Sequence, residues 1–254
     1  MSESHKAQVQ AQFGASAHDY VTSAGHAGGA DLEQLVAWGR KRGAPRVLDV
    51  ATGGGHTALA FSAFTPTVIS TDLTPSMLEA ARGFIQSKAA ATGNVRFLAS
   101  DVEALPFRDS SYGVVTCRLA AHHFPAILPA LKEVARVLRP GGSLLVEDIL
   151  GHDDRELAAF ILEVEKRRDP SHVRALTHRE WEAFLKAAGM TVIDEEHPEQ
   201  VAAVGGMDGA HADDARGQGR SRALRARTLR RAAGRPSASP WRTAASRPSR
   251  TVSS

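Results

Sequence analysis

A loop of glycines flanked by two acids carries the clearest chemical signature in this sequence. An apolar stretch containing Asp49 breaks at three consecutive glycines, Gly53 to Gly55, and resumes as small residues around Ala58. Such a change predicts a buried strand, a tight turn and the start of a helix. Glycines suit that turn because a ligand can then approach the backbone closely. Asp72, nineteen residues after Gly53, stands where an acid commonly binds a ribose, so the loop predicts a nucleoside ligand.

Two classes of nucleoside fit this spacing. The pattern Gly53-x-Gly55-x-x-Ala58 matches the loop that holds the pyrophosphate of NAD(P), which would make the chain an oxidoreductase. A carboxylate at Asp49, beside the loop, would repel a pyrophosphate held on backbone N–H groups. It would not repel a ligand that carries an ammonium and a sulfonium group. The sequence therefore favours a cationic nucleoside and keeps an NAD(P)-binding oxidoreductase as the alternative.

Four segments occur in the order and spacing of a known family. They are Asp49-x-Ala51-x-Gly53-x-Gly55, residues 71–78, residues 100–107 and residues 138–142. Over about residues 10–195 the chain resembles the class I S-adenosylmethionine (SAM) dependent methyltransferases, in particular the methyltransferase type 11 family. Within that family it is similar to the ubiquinone/menaquinone biosynthesis C-methyltransferases.

The resemblance implies an α/β fold: a Rossmann-like, doubly wound and mostly parallel sheet with helices on both faces. It implies SAM as the cofactor, bound by Asp49, Ala51, Gly53, Gly55, Asp72, Leu73, Met77, Asp101, Val102 and Arg118. In this family the acid at Asp72 binds the ribose hydroxyls. The acid at Asp101 binds the adenine amino group, while the N–H of Val102 binds a ring nitrogen. For Arg118, an ion pair with a neighbouring acid is the alternative to a ligand contact.

Two neighbouring histidines, His122 and His123, are the candidate catalytic residues. They follow a predicted strand over residues 112–117 and so lie at the carboxyl edge of the sheet, where ligands of open α/β sheets bind. An imidazole titrates near neutral pH, so either residue could remove a proton from a methyl acceptor. In an extended segment only one of them can face the site, and packing roles for both are the alternative.

The acceptor is expected to be a small molecule. His172 and Arg174 lie in an insertion, about residues 151–177, that the family places over the substrate, so both are candidates for substrate recognition. Carbon, oxygen and nitrogen acceptors all stay open, because these reactions share one scaffold. A SAM-binding protein without activity is a third interpretation. No metal site is predicted, because the histidines and acids lack the tight spacing of metal ligands.

The chain divides into three parts. Residues 1–30 are expected to form a cover segment, with a short helix over 7–14 and a loop over 15–29. Residues 31–204 are expected to form the SAM-binding domain, in which Asp31 caps the first helix. Residues 205–254 are rich in Arg, Ala and Ser and poor in large apolar residues, which predicts a disordered tail. The final antiparallel strand of the family fold is therefore expected to be missing or altered.

Charge and composition set the remaining expectations. The net charge of +3 averages two unlike parts, because residues 215–254 hold 11 Arg and no Lys, Asp or Glu. Residues 1–214 then carry 20 bases against 28 acids, so nucleic-acid binding could involve only the tail. The single cysteine, Cys117, excludes an internal disulfide and suits a reducing compartment. Without a signal-peptide core or a membrane-spanning apolar run, the chain is expected to be cytoplasmic.

Overall fold

The computed structural model describes residues 2–22, 28–88, 93–196 and 221–228. The strands are β1 (Arg46–Val50), β2 (Thr67–Asp72), β3 (Val95–Ala99), β4 (Tyr112–Arg118), β5 (Leu138–Ile149), β6 (Met190–Glu196) and β7 (Ser221–Thr228). They form a seven-stranded sheet in the order β3-β2-β1-β4-β5-β7-β6. Strands β1 to β5 pair in parallel, while β7 pairs antiparallel with both β5 and β6.

Helices cover this sheet. Those in the described part are α1 (Ser2–Thr22), α2 (Ala30–Arg42), α3 (His56–Ser62), α4 (Pro75–Lys88), α5 (Ile127–Val137), α6 (Arg155–Arg168) and α7 (His178–Ala187). A short 3-10 helix spans Ala121–His123. None of the helices within these described ranges is long and apolar enough to cross a membrane.

Two apolar clusters lie on opposite faces of the sheet. Val114 of β4 belongs to the cluster that contains Trp38 of α2. The next residue, Val115, belongs to the cluster that contains Leu144 of β5 and Trp181 of α7. Successive side chains of a strand point to opposite faces, so a central strand covered on both sides must be apolar throughout. The predicted doubly wound, Rossmann-like architecture is confirmed.

The parallel register brings the predicted site residues to one edge of the sheet. Asp49 of β1 is paired with Ser70 of β2 on one side and with Thr116 of β4 on the other. Asp72 ends β2 opposite Ala99 of β3. Because the carboxyl ends of parallel strands meet at the same edge, the acids that follow β1, β2 and β3 converge there.

The final antiparallel strand is present but altered, which is one of the two outcomes that the sequence leaves open. Strand β7 lies inside the stretch for which the sequence predicts a disordered tail, and that prediction is wrong for these eight residues. The strand is nevertheless altered, because its sequence, SRALRART, contains three arginines and a single large apolar residue. A strand inserted between two others pairs its backbone N–H and C=O groups on both sides, so hydrogen bonding stabilises a strand whose sequence has few apolar residues.

The cover segment forms a longer helix than the sequence predicts. Helix α1 has 21 residues and continues through part of the predicted loop. Its sequence has little amphipathic pattern, so local propensity gives a weak signal. Contacts with the rest of the chain hold it instead: the side-chain amide of Gln10 donates to the carbonyl of Leu73 at 2.9 Å, and that of Gln8 donates to the carbonyl of Pro170 at 3.0 Å. Tertiary contacts commonly stabilise helices that are marginal alone.

Candidate active site

The glycine loop leaves β1 through backbone conformations that favour glycine. Gly53 and Gly55 have φ angles of 53° and 84°, and Ala51 also adopts a positive φ of 50°. The loop is tied to the sheet, because the N–H of Thr52 donates to the carbonyl of Thr71 at 2.9 Å. Helix α3 begins immediately after Gly55. The strand, turn and helix predicted from the glycine pattern are therefore confirmed.

The two glycines serve different purposes. A Cβ on Gly55 would lie 2.9 Å from the Cβ of Ala81 and 3.1 Å from a methyl carbon of Ile85, so a side chain there would push α4 away from the loop. A Cβ on Gly53 would meet only the methyl group of Met77, at 3.6 Å. The backbone at Gly53 thus faces free space that a ligand can fill, while Gly55 permits close packing.

Asp49 lies buried under the loop, with 1% of its surface exposed. Its two carboxylate oxygens accept hydrogen bonds from the hydroxyls of Thr116, at 2.6 Å, and Thr52, at 2.7 Å. Burial raises the pKa of Asp49 to about 6, although both hydroxyls oppose the shift. A nearby cation would offset the free energy that burial costs the ionised carboxylate. A carboxylate beneath a sulfonium ligand is expected to have this property.

Asp72 connects β2 to the glycine loop. One carboxylate oxygen accepts from the N–H of Gly53 at 3.0 Å, and the other accepts from the N–H of Thr74 at 2.9 Å. Burial raises the pKa of Asp72, and these backbone N–H donors oppose the rise. A carboxylate has about four acceptor sites, so two vicinal hydroxyls of a ribose can still bind. Asp72 therefore lies beside the glycine loop at Gly53, and its binding of the ribose stays a prediction.

Asp101 is held by a residue that the sequence did not single out. The ammonium of Lys6, in α1, lies 2.7 Å from carboxylate oxygens of both Asp101 and Glu103. Burial opposes ionisation of Lys6, but the two carboxylates outweigh it and raise its pKa. The N–H of Glu103 also donates to Asp101 at 2.9 Å. Helix α1 is thus anchored beside the residue predicted to bind adenine, and only the folded chain reveals this contact.

The other predicted donor-binding residues surround the same edge. Met77 is buried against the loop at Gly53, and Val102 packs against the core beside Asp101. Leu73 follows Asp72 directly and contributes the carbonyl that binds α1. Ala51 is half-buried at the start of the loop and packs against the core.

Arg118 forms the ion pair that was the alternative to a ligand contact. Its Nε donates to the carboxylate of Asp31 at 2.6 Å and lies 3.6 Å from the carboxylate of Glu147. The side chains of Arg118 and Asp31 are only 5% and 4% exposed. The expected helix-capping role of Asp31 is therefore wrong, because Gly29 occupies the N-cap position of α2. A buried arginine needs such partners, and the nearest acid in space is distant in sequence.

His122 is clamped by Asp148 at the end of β5. The Nδ1 atom of His122 lies 2.5 Å from one carboxylate oxygen of Asp148. The backbone N–H of His122 donates to the other oxygen at 2.9 Å. Asp148 is buried, so the contact is shielded from water. With Nδ1 engaged, Nε2 is the ring nitrogen left to exchange a proton with a substrate.

The two histidines lie in a 3-10 helix rather than in the extended segment that the sequence suggests, so their rings lie side by side. The ring centroids of His122 and His123 are 4.2 Å apart, and the ring of His172 stacks on His122 at 5.0 Å. His123 is engaged differently, because its Nδ1 lies 3.1 Å from the carbonyl of Ser171. Burial, and then the charge of His122, lower the pKa of His123 to about 3 and that of His172 to about 4.

With pKa values this low, His123 and His172 are neutral at neutral pH, and the carboxylate of Asp148 engages the ring of His122. Two neighbouring imidazolium ions would repel each other strongly in a buried site. The described residues contain no group of three or more His, Cys, Asp or Glu arranged to hold a metal ion.

A pocket of about 290 Å³ is lined by chain neighbours of these histidines, among them Ala121, Phe124 and Val173, although the three imidazole rings are not part of its lining. It lies between the segment that joins β4 to α5 and the segment that precedes α7. Its walls are mainly apolar and include Phe124, Ile127, Leu176 and Phe184. Arg174 is the charged residue of the lining, and its guanidinium lies 2.7 Å from Glu180. The N–H groups of Val173 and Arg174 both donate to the carbonyl of His122, at 2.9 and 3.2 Å.

The residues at the sheet edge fit SAM. The open face of Gly53, the adjacent carboxylate of Asp72 and the buried carboxylate of Asp49 suit a ribose next to a cationic group. A diphosphate in the same place would lie close to two buried carboxylates, which electrostatic repulsion disfavours.

Comparisons with known proteins agree. Residues 48–146 match the methyltransferase domain family. The uncharacterized methyltransferase YcgJ of Bacillus subtilis is 41% identical over 175 residues, which are 69% of this chain and 68% of that protein. The solved structure of a candidate methyltransferase from Bacillus halodurans C-125 has a TM-score of 0.68 and 30% sequence identity. The match covers 79% of this chain and 100% of that chain.

A more distant relative is the ubiquinone/menaquinone biosynthesis C-methyltransferase UbiE of Dinoroseobacter shibae. It is 39% identical over 116 residues, which are 45% of this chain and 46% of that protein, so the match spans less than half of either. These relatives carry methyltransferase names, so the NAD(P)-binding oxidoreductase alternative is set aside. The chain belongs to the SAM-dependent methyltransferases of the type 11 family.

Proposed function

We propose that this methyltransferase transfers the methyl group of SAM to a small-molecule acceptor and that His122 is the base for this reaction. SAM supplies a methyl group bonded to a positively charged sulfur. A nucleophilic atom can attack the methyl carbon in line with the C–S bond, and the sulfur then leaves. The donor would be held by Gly53 and Asp72 at the ribose, by Asp101 at the adenine, and by Asp49 beneath the cationic end. The contact between the N–H of Gly53 and the carboxylate of Asp72, at the open face of the loop, carries the proposal.

His122 supplies proton transfer. An acceptor hydroxyl, amine or acidic C–H loses its proton as its bond to the methyl carbon forms, and the C–S bond breaks with its electron pair leaving on sulfur. The proton goes to Nε2 of His122, and Asp148 stabilises the resulting imidazolium through Nδ1. Positioning of the reactants provides most of the rate, and the base contributes where the acceptor keeps its proton at neutral pH.

The pocket lined by Ala121 and Val173, the chain neighbours of His122 and His172, is the proposed acceptor site. Its walls include phenylalanine and leucine side chains, and Arg174 is its charged residue, so an aromatic or otherwise apolar acceptor with an anionic group suits it. UbiE-type relatives are named for methylation at carbon in quinone biosynthesis, which supports an aromatic acceptor. The cytoplasmic location and the absence of nucleic-acid binding stay predictions.

A labelled-methyl assay tests the proposal. The purified full chain is incubated with SAM carrying a tritiated methyl group and a panel of phenols, hydroquinones, aromatic amines and their carboxylated forms. We expect label in an organic product, with carboxylated aromatic compounds preferred and the preference reduced in Arg174→Gln. Calorimetry with SAM alone separates the two halves of the proposal. SAM binding without label transfer to any class of acceptor would leave a binding protein without activity.

A further inference from the structure

Helix α6 presents an apolar stripe to solvent. No residue of α6 is buried, although the helix contains four large apolar side chains on one face. Leu157, Phe160, Ile161 and Val164 are between 40% and 64% exposed, with Phe160 the most exposed. Their spacing of three and four residues is that of a helix face that packs against another element. Within the described residues, this is an amphipathic helix whose apolar face has no cover.

The stripe has a symmetric sequence. Its midpoint lies between Phe160 and Ile161, with Leu157 and Val164 at equal distances on either side. Two copies of α6 placed antiparallel about a two-fold axis through that midpoint would put Phe160 against Ile161 and Leu157 against Val164. Each pair would then occur twice. Such self-complementarity is what a two-fold interface between identical chains requires.

The charges at the two ends of the stripe are also complementary. Asp153 lies four residues before Leu157, just ahead of the N-cap Asp154, and Arg168 ends the helix four residues after Val164. The antiparallel arrangement places the acidic end of one helix against the basic end of its partner. Asp154 and Arg167 form a second matched pair beside the first. Opposed helix dipoles favour the same orientation.

The like charges of α6 lie elsewhere. Arg155 would lie opposite Lys166 of the second copy and repel it if both faced the interface, but helical spacing puts both on the side away from the apolar stripe. Glu165 is paired with Arg168 within the helix, and Glu163 with Arg167 at 2.5 Å, so in the dimer each arginine would bridge an acid of its own helix and an acid of the partner. A partner with one uniform charge, such as an anionic lipid surface, would attract only the basic end.

We propose that α6 is a dimerisation surface and that its partner is α6 of a second copy of this chain. A 14-residue helix is about 21 Å long, so two such stripes bury less than the roughly 1,600 Å² of a standard stable interface. The dimer should therefore depend on concentration, dissociate readily and weaken as salt screens the end charges.

Sedimentation velocity of the full chain at several concentrations tests the proposal. We expect a reversible monomer–dimer equilibrium that Phe160→Glu shifts to monomer at every concentration. Leu98→Glu is the matched control, because Leu98 is an apolar side chain of similar exposure on β3, and this variant should dimerise as the unchanged chain does. A monomer at all concentrations, or a dimer that Phe160→Glu leaves intact, would overturn the proposal.

A charge-reversal pair keeps the test independent of the apolar substitution. Asp153→Arg makes both ends of the stripe basic, and Arg168→Asp makes both ends acidic. We expect each variant alone to dimerise at least threefold more weakly, and an equal mixture to recover association as a heterodimer. A mixture no stronger than the single variants contradicts the antiparallel pairing. Binding of α6 to phosphatidylglycerol vesicles that Phe160→Glu abolishes, with no dimer in solution, would assign the surface to a membrane instead.

Discussion

The Nδ1 atom of His122 lies 2.5 Å from a carboxylate oxygen of Asp148, whose other oxygen accepts the backbone N–H of the same histidine at 2.9 Å. The carboxylate therefore fixes the position of the residue and the orientation of its ring together. Because Nδ1 is engaged, proton exchange is confined to Nε2. This two-point contact distinguishes His122 from His123, whose Nδ1 faces Ser171.

Asp148 should act as a positioning residue. Asp148→Asn keeps the size of the side chain but removes the charge that stabilises an imidazolium, so we expect kcat to fall by roughly 10²-fold with little change in the KM for SAM. Steady-state kinetics with the acceptor found in the labelled-methyl assay measure this. Asp109→Asn, at an exposed position on the surface, is the control. A change in the KM for SAM alone would assign Asp148 a structural role.

Free imidazole should partly replace the base itself. His122→Ala removes the ring, and we expect a loss of roughly 10²-fold or more in kcat that added imidazole restores in part. Asp148→Asn retains the ring, so imidazole should not rescue it. Equal responses of the two variants to imidazole would contradict the proposed division of roles.

The two glycines of the loop should fail in different ways when each is replaced by alanine. Gly55→Ala places a Cβ 2.9 Å from Ala81 and should lower the free energy of unfolding by roughly 2–4 kcal/mol, from overpacking and the positive φ together. Gly53→Ala meets no close atom and should cost about 1 kcal/mol, yet weaken SAM binding at least tenfold. Urea unfolding and calorimetry measure the two quantities. If the loss of SAM affinity relative to the loss of unfolding free energy is the same in both variants, the open face of Gly53 does not bind the donor.

Asp49 should make stability depend on pH. Its pKa of about 6 in the folded protein exceeds the ordinary value of 3.8, so the folded state loses stability as the pH rises between these values. Asp49→Asn does not titrate. We therefore expect the variant to exceed the unchanged protein in free energy of unfolding by roughly 1–3 kcal/mol at pH 8, and by less at pH 5. Denaturant unfolding at the two pH values checks this. A stability difference that is the same at both would contradict the raised pKa.

Lys6 should control access to the donor site. Its ammonium ties α1 to Asp101 and Glu103, so Lys6→Gln should loosen the helix and speed dissociation of SAM by roughly threefold to tenfold. Hydrogen exchange in α1 and stopped-flow dissociation measure the two effects. Lys132→Gln, an exposed lysine on α5, is the matched control. If exchange in α1 stays slow, the ion pair does not hold the cover segment.

The parts of the site that the sequence predicts are those encoded by short-range patterns. The glycines and the acids Asp49, Asp72 and Asp101 each stand at a fixed offset from an apolar strand, so strand order alone brings them together. The doubly wound sheet follows from the same alternation of strands and helices. A local sequence pattern therefore suffices to predict the position of a residue when that position depends only on the strand or helix to which the residue belongs.

The parts that the sequence misses depend on contacts across the fold. Lys6 meets Asp101 over 95 positions of chain, and Asp31 meets Arg118 over 87. Neither pair has a local pattern, so the sequence gives no sign of the role of Lys6 and favours a helix cap for Asp31. Strand β7 was missed for another reason, because its pairing satisfies the backbone while its composition resembles that of the surrounding tail.

The placement of β7 between β5 and β6 has a consequence for synthesis on the ribosome. Strand β6 pairs with β7 and, within the described residues, with no other strand, while β5 has its outer edge covered by β7. A nascent chain that has emerged only as far as β6 therefore has two unpaired strand edges and a gap between them. The sheet is completed only after translation has passed residue 228. A premature stop before that point therefore leaves a protein that contains the predicted donor-binding residues but lacks one strand of its sheet.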